Sequence, residues 1–155
     1  MTHTFTQIEQ FIRNYAKHID SGVVPSIVSC FADPFLAAGP EGAQPVRTAD
    51  FALALPKRKQ HFQSLGAQSF SLVSVQQIPL DPHYVLARTC WRVNFAGPAG
   101  PPVEVNSDFL IHMASDTCKI VLYLANQDIL AVLRDRSNAL PTPASPLDSS
   151  SHRTA

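Results

Sequence analysis

Tyr84-Val85-Leu86-Ala87-Arg88-Thr89-Cys90-Trp91-Arg92-Val93-Asn94-Phe95 alternates in a way that only an extended chain can use. Successive side chains of a strand point to opposite sides. Val85, Ala87, Thr89, Trp91, Val93 and Phe95 therefore share one face, and Tyr84, Leu86, Arg88, Cys90, Arg92 and Asn94 share the other. Residues 83–95 read as a strand, and 68–78, 103–113 and 118–125 have the same richness in Val, Leu, Ile, Phe, Thr and Tyr. Between them lie Pro79-Leu80-Asp81-Pro82, the stretch Gly97-Pro98-Ala99-Gly100-Pro101-Pro102, and Ser115-Asp116-Thr117, all turn-forming. Four consecutive strands joined by turns predict an antiparallel sheet.

Upstream the period lengthens. Phe5, Ile8, Phe11, Ile12, Tyr15 and Ile19 recur every three or four residues, the stripe of an amphipathic helix. Thr6 and Glu9 read as its capping box, and Gly22 stands where a left-handed terminating residue is wanted. Pro25 suits the first turn of a short second helix carrying Ile27, Val28 and Phe31, which Pro34 is expected to stop. Residues 35–47 read as loop with a short strand pair. Thr48 is expected to cap a third helix, broken or kinked at Pro56 into two segments at an angle that continue to Gly66. Downstream, Ile129, Leu130 and Leu133 suggest a closing helical turn. Residues 138–155, with Pro141, Pro143 and Pro146 among Ser, Thr and Ala, bury too little to offset chain entropy and are expected to form a disordered tail. The folded domain is thus residues 1–137.

Composition narrows the function. Twelve Lys and Arg balance twelve Asp and Glu, so no field gathers phosphates, and nucleic acid is not expected as a partner. The longest apolar runs fall far short of the ~20 residues of a spanning helix, and no basic-then-apolar leader opens the chain, so a cytoplasmic protein without membrane association is expected. Three cysteines, Cys30, Cys90 and Cys118, are far apart and lack zinc spacing. No phosphate-cradling glycine loop, nucleophile elbow or helical metal pair occurs, and no cofactor is expected.

Helices followed by long antiparallel strands predict an α+β fold with segregated layers. The stretch Phe11-Ile12-Arg13-Asn14-Tyr15 through Asp20-Ser21-Gly22 to Phe31-Ala32-Asp33-Pro34 resembles the nuclear-transport-factor-2-like superfamily, which includes ketosteroid isomerases and polyketide cyclases. The resemblance covers roughly residues 5–135. It implies a cystatin-like, cone-shaped barrel, with N-terminal helices packed on a strongly curved mixed sheet around a pocket. In the isomerases of this family a helical tyrosine and a protonated aspartate donate hydrogen bonds to the substrate oxyanion. Tyr15 and Asp108 resemble these two. The isomerase base precedes a proline in the loop after the second helix, and Gly39, before Pro40, stands there instead.

Each candidate also has a plain reading. Tyr15 is equally a core tyrosine. Asp108, in an apolar strand, either points into the pocket or is solvated or paired with Arg88 or Arg92 across the sheet. Asn106, Asp108, Leu110 and His112 alternate onto one face; with Asp108 inward, Asn106 and His112 line the pocket and His112 is a candidate acid or base. Trp91 and Phe31 are candidate aromatic contacts for a ligand, with a core position the simpler reading of Trp91. Two functions compete: a domain binding a small apolar or aromatic molecule, of isomerase, cyclase or hydratase kind if catalytic, or a non-catalytic dimeric module for protein interaction. A hollow interior favours the first and a filled one the second. Apolar residues on both sheet faces, such as Val85 and Leu86, further predict a homodimer built across the outer face.

Overall fold

The computed structural model describes residues 2–95, 101–125 and 131–135, with side chains from residue 5 onward. The elements are α1 (Thr2–Ser21), α2 (Val24–Val28), β1 (Phe31–Gly39), β2 (Gly42–Val46), α3 (Thr48–Ser64), β3 (Ala67–Asp81), β4 (Tyr84–Phe95), β5 (Val103–Ala114) and β6 (Thr117–Ala125). The six strands form one sheet in the order β2-β1-β6-β5-β4-β3, open at both edges. Every pairing is antiparallel except that of β1 with β6, so the sheet is mixed.

Helix α1 buries Ile8, Ile12 and Tyr15 and leaves Arg13 and Lys17 to solvent. Glu9 and Arg13, one turn apart, pair at 2.7 Å. Gly22 ends the helix with φ +72°, its N–H on the His18 carbonyl at 2.9 Å. The helix begins at Thr2, upstream of the expected capping box, so Thr6 lies inside it. No proline or glycine between Thr2 and Thr6 prevents the extension.

The second helix ends at Val28, earlier than expected, and Phe31 belongs to a strand. The Cys30 carbonyl accepts the Ile120 N–H at 2.8 Å, and Phe31 pairs with Ile120, so the chain is drawn into the sheet before Pro34 is reached. Pro34, whose preceding peptide is cis, lies within β1, where the pairing with β6 shifts register between Phe31 and Leu36. A residue without an N–H is tolerated where the ladder is interrupted. The expected loop at 35–47 is mainly the β1–β2 hairpin, with Gly39 opposite Gly42.

Helix α3 is continuous through Pro56, so of the expected break or kink the break does not occur. Its N-cap is Arg47, not Thr48, and the capping acceptor comes from β1: Asp33 Oδ1 takes the Thr48 N–H at 3.1 Å and pairs with Arg47 at 3.1 Å. The four long strands fall where the alternation puts them, except that β3 runs on to Asp81, through most of the expected turn Pro79-Leu80-Asp81-Pro82. Val85, Ala87, Thr89, Trp91 and Val93 are buried, and so are Val105, Ser107, Phe109 and Ile111 beside them on β5. Residues 131–135 are helical and Leu133 is fully buried; Ile129, Leu130 and the tail at 138–155 lie outside the described residues. Among the described residues no helix is long and apolar enough to cross a membrane.

Candidate functional site

Between α3 and the inner face of the sheet lies a cavity of about 480 Å³. Its helical wall follows from spacing: Phe51, Leu55, Arg58 and Phe62 fall four, three and four residues apart, one stripe of α3, and all are half-buried. Its opposite wall is Trp91 on β4, Val105, Ser107 and Phe109 on β5, and Tyr123 on β6. Tyr15 from α1 and Phe31 from β1 close one side, and Gly22, Lys59 and the exposed Asp20 also line it.

Tyr15 is held edge-on by three rings: Phe109 at 5.4 Å, Phe31 at 5.8 Å and Trp91 at 6.1 Å between centroids. Burial, reinforced by the neighbouring Tyr123 and opposed by Arg58, pushes its phenol far above the ordinary value, so it is a neutral donor. Its hydroxyl has no hydrogen-bond partner among the described residues. The Trp91 indole N–H donates to Thr89 Oγ1 at 2.7 Å, and Thr89 donates to the Ser107 carbonyl at 2.7 Å, which fixes the floor. Arg58 stands 5.1 Å from the Phe62 ring centre and 6.0 Å from that of Tyr123, and donates to the Tyr123 hydroxyl at 3.5 Å. Burial alone would lower the guanidinium's pKa, but the two tyrosines outweigh it and leave it raised.

The sheet divides the six sequence candidates into two groups. Tyr15, Phe31 and Trp91 line the cavity. Asn106, Asp108 and His112 lie on the other side of the sheet, because Thr89 is opposite Ser107 and both point inward, so Asp108 points outward opposite Arg88. Asp108 pairs with Arg88 at 3.3 Å, with its side chain 8% exposed against 53% for the arginine. Asn106 and Asp108 border a small polar groove with Ser74, Gln76, Arg88 and Cys90. His112 lies against the Tyr84 ring at 5.0 Å. The expected Tyr15–Asp108 pair is therefore not formed across one pocket; Arg58, Tyr123 and Ser107 are among the polar groups that join Tyr15 in lining the cavity. Arg58 was hidden in the sequence by its neighbours in Lys57-Arg58-Lys59, although its place on the stripe of Phe51, Leu55 and Phe62 was readable. Among the described residues no cluster of His, Cys, Asp or Glu could hold a metal ion.

No protein-family model matches the chain, and no curated protein does. Solved structures match well. An NTF-2 like protein of unknown function from Shewanella oneidensis MR-1 superposes with a TM-score of 0.64 at 10% identity, over 80% of this chain and 99% of that one. A protein of unknown function with a cystatin-like fold from Nostoc punctiforme PCC 73102 gives 0.58 at 11% identity, covering 79% and 90%. A ketosteroid isomerase-like protein from Erwinia carotovora atroseptica SCRI1043 gives 0.58 at 12%, covering 78% and 93%. The fold is that of the nuclear-transport-factor-2-like proteins. Within this NTF2-like fold, Gly39 sits at the end of β1 in the hairpin, where a side chain would meet nothing within 4 Å, and it does not line the cavity. The described carboxylate lining the cavity is Asp20, exposed at the end of α1.

Proposed function

We propose that this protein is a small-molecule-binding domain whose ligand, an apolar or aromatic body with an oxygen at one end, occupies the cavity between α3 and the inner sheet face. The cavity carries this reading. At about 480 Å³ it is within the usual range of ligand sites, and its mostly apolar walls converge on a few polar groups. The Tyr15 hydroxyl is buried without a described protein acceptor, and a ligand oxygen would satisfy it. One of the similar structures is named for a small-molecule isomerase, which favours ligand binding over a purely architectural role.

Donors in a dry site stabilise negative charge developing on a ligand oxygen. Carbon-acid proton transfer needs in addition a base within hydrogen-bond reach of the carbon, and the described cavity wall offers only Asp20, at solvent. The function proposed is therefore binding and polarisation, without steroid-isomerase proton transfer. Calorimetric titration with 2-naphthol tests it. Saturable binding is expected, weakened about two- to tenfold in Tyr15→Phe, the worth of one neutral hydrogen bond. Absence of saturable binding, or equal affinity in the variant, would overturn the assignment.

A further inference from the structure

Resting on the reading of the cavity as a ligand site, we propose that its ligand carries a carboxylate and that Arg58 is the anchor for it. Of the three consecutive basic residues 57–59, Lys57 and Lys59 are exposed while Arg58 turns onto the apolar stripe of α3 and lines the cavity. Among the described residues no carboxylate pairs with it: the ion pairs there are Glu9–Arg13, Asp33–Arg47, Arg88–Asp108 and Arg92–Glu104. A half-buried guanidinium without a counter-charge among the described residues bears part of the cost of leaving water, and a ring face with one long hydrogen bond compensates only some of it.

Donor count selects the class of anion. A guanidinium has five N–H donors in a fixed fork, and the Tyr15 hydroxyl, without a partner among the described residues, adds another donor to the same cavity. A single phenolate or enolate oxygen leaves most of these unused. A carboxylate, with two oxygens and about four acceptor positions in one plane, matches the fork edge and accepts from the tyrosine as well. The remaining wall, with Phe31, Phe51, Phe62, Trp91 and Phe109, is suited to an aromatic or alicyclic body and offers no second cation except Lys59, which is exposed.

The test compares 2-naphthoate with its neutral isostere 2-naphthamide, by calorimetric titration of the wild type, Arg58→Met and Arg58→Lys, with the melting temperature of each protein recorded. Wild type is expected to favour the carboxylate about tenfold or more, the scale of one charge-assisted hydrogen bond. Arg58→Met should abolish that preference by weakening the carboxylate more than the amide, and Arg58→Lys should keep part of it. A merely structural arginine would change the melting temperature without changing the carboxylate-to-amide ratio. If the wild type binds the amide as well as the carboxylate, or if the preference survives in Arg58→Met, the anchor is refuted and the cavity stands as a ligand site. If neither compound binds, the cavity reading and the anchor fall together. Should Arg58→Met not fold, the wild-type ratio and its decline in Arg58→Lys decide the matter.

Discussion

Thr89→Val removes one hydroxyl from behind Trp91 and Ser107, which line the cavity, with almost no change of shape. Thr89 is 3% exposed, and its Oγ1 accepts the Trp91 indole N–H at 2.7 Å while donating to the Ser107 carbonyl at 2.7 Å. Trp91 is itself only 6% exposed, so its N–H would be left without an acceptor in a site that water reaches poorly. An orphaned buried donor costs about 1–3 kcal/mol, and a value of about 2 kcal/mol is expected here. For a domain of this size that corresponds to a fall in Tm of about 4–8 °C. Urea unfolding followed by circular dichroism, which also serves variants without Trp91, should show a lower midpoint at unchanged slope. The mechanism is isolated by a double-mutant cycle: in a Trp91→Phe background no indole donor remains, and Thr89→Val should cost at least about 1 kcal/mol less, by roughly the energy of that bond. Equal costs in the two backgrounds would refute the claim that Thr89 acts through the indole.

Gly22→Ala should destabilise by about 1 kcal/mol, because its φ of +72° is left-handed and the Lys59 ammonium sits where the new methyl would go; an unchanged urea midpoint would contradict this. Asp33 is held below its ordinary carboxylate value first by the Thr48 N–H and then by Arg47. Its contribution is therefore present above the unfolded-state pKa and lost as pH falls through the folded one, so Asp33→Asn should flatten the decline of Tm between about pH 5 and pH 2. Leu86, Leu110 and Leu122 lie side by side in register on the outer sheet face, and we propose that two copies pair there; light scattering at micromolar concentration should report a dimer, and Leu110→Glu should dissociate it.

The sheet was readable because alternation is a local property. Val85 through Val93 declared their inner face without reference to any neighbouring strand. The inner face of β5 was not local, since Ser107 and Asp108 are both polar and only the pairing of Thr89 with Ser107 shows which of them turns inward. Pro34 misled for a related reason: a proline stops a helix, but here it occupies an interrupted ladder between Phe31 and Leu36, a condition set by β6 almost ninety residues later. At Pro56 the helix does not break, since α3 continues through it. Arg58 was visible in principle, but a basic run suggested solvent more strongly than the stripe of Phe51, Leu55 and Phe62 suggested an interior.

Helix α3 buries no residue fully, because its apolar stripe faces a hollow where other helices face packed side chains. The walls of such a hollow lack the dispersion partners that a filled core provides, and an occupant restores them. Folding and occupancy are thereby linked: a ligand present at about a hundred times its Kd adds about 2.7 kcal/mol to stability, or about 5–10 °C in Tm for a chain of this length. Heat becomes a search tool. A library of aromatic acids scanned for a rise in melting temperature would identify the occupant whatever reaction it undergoes, and the half-covered helix would be the part of the molecule that reports it.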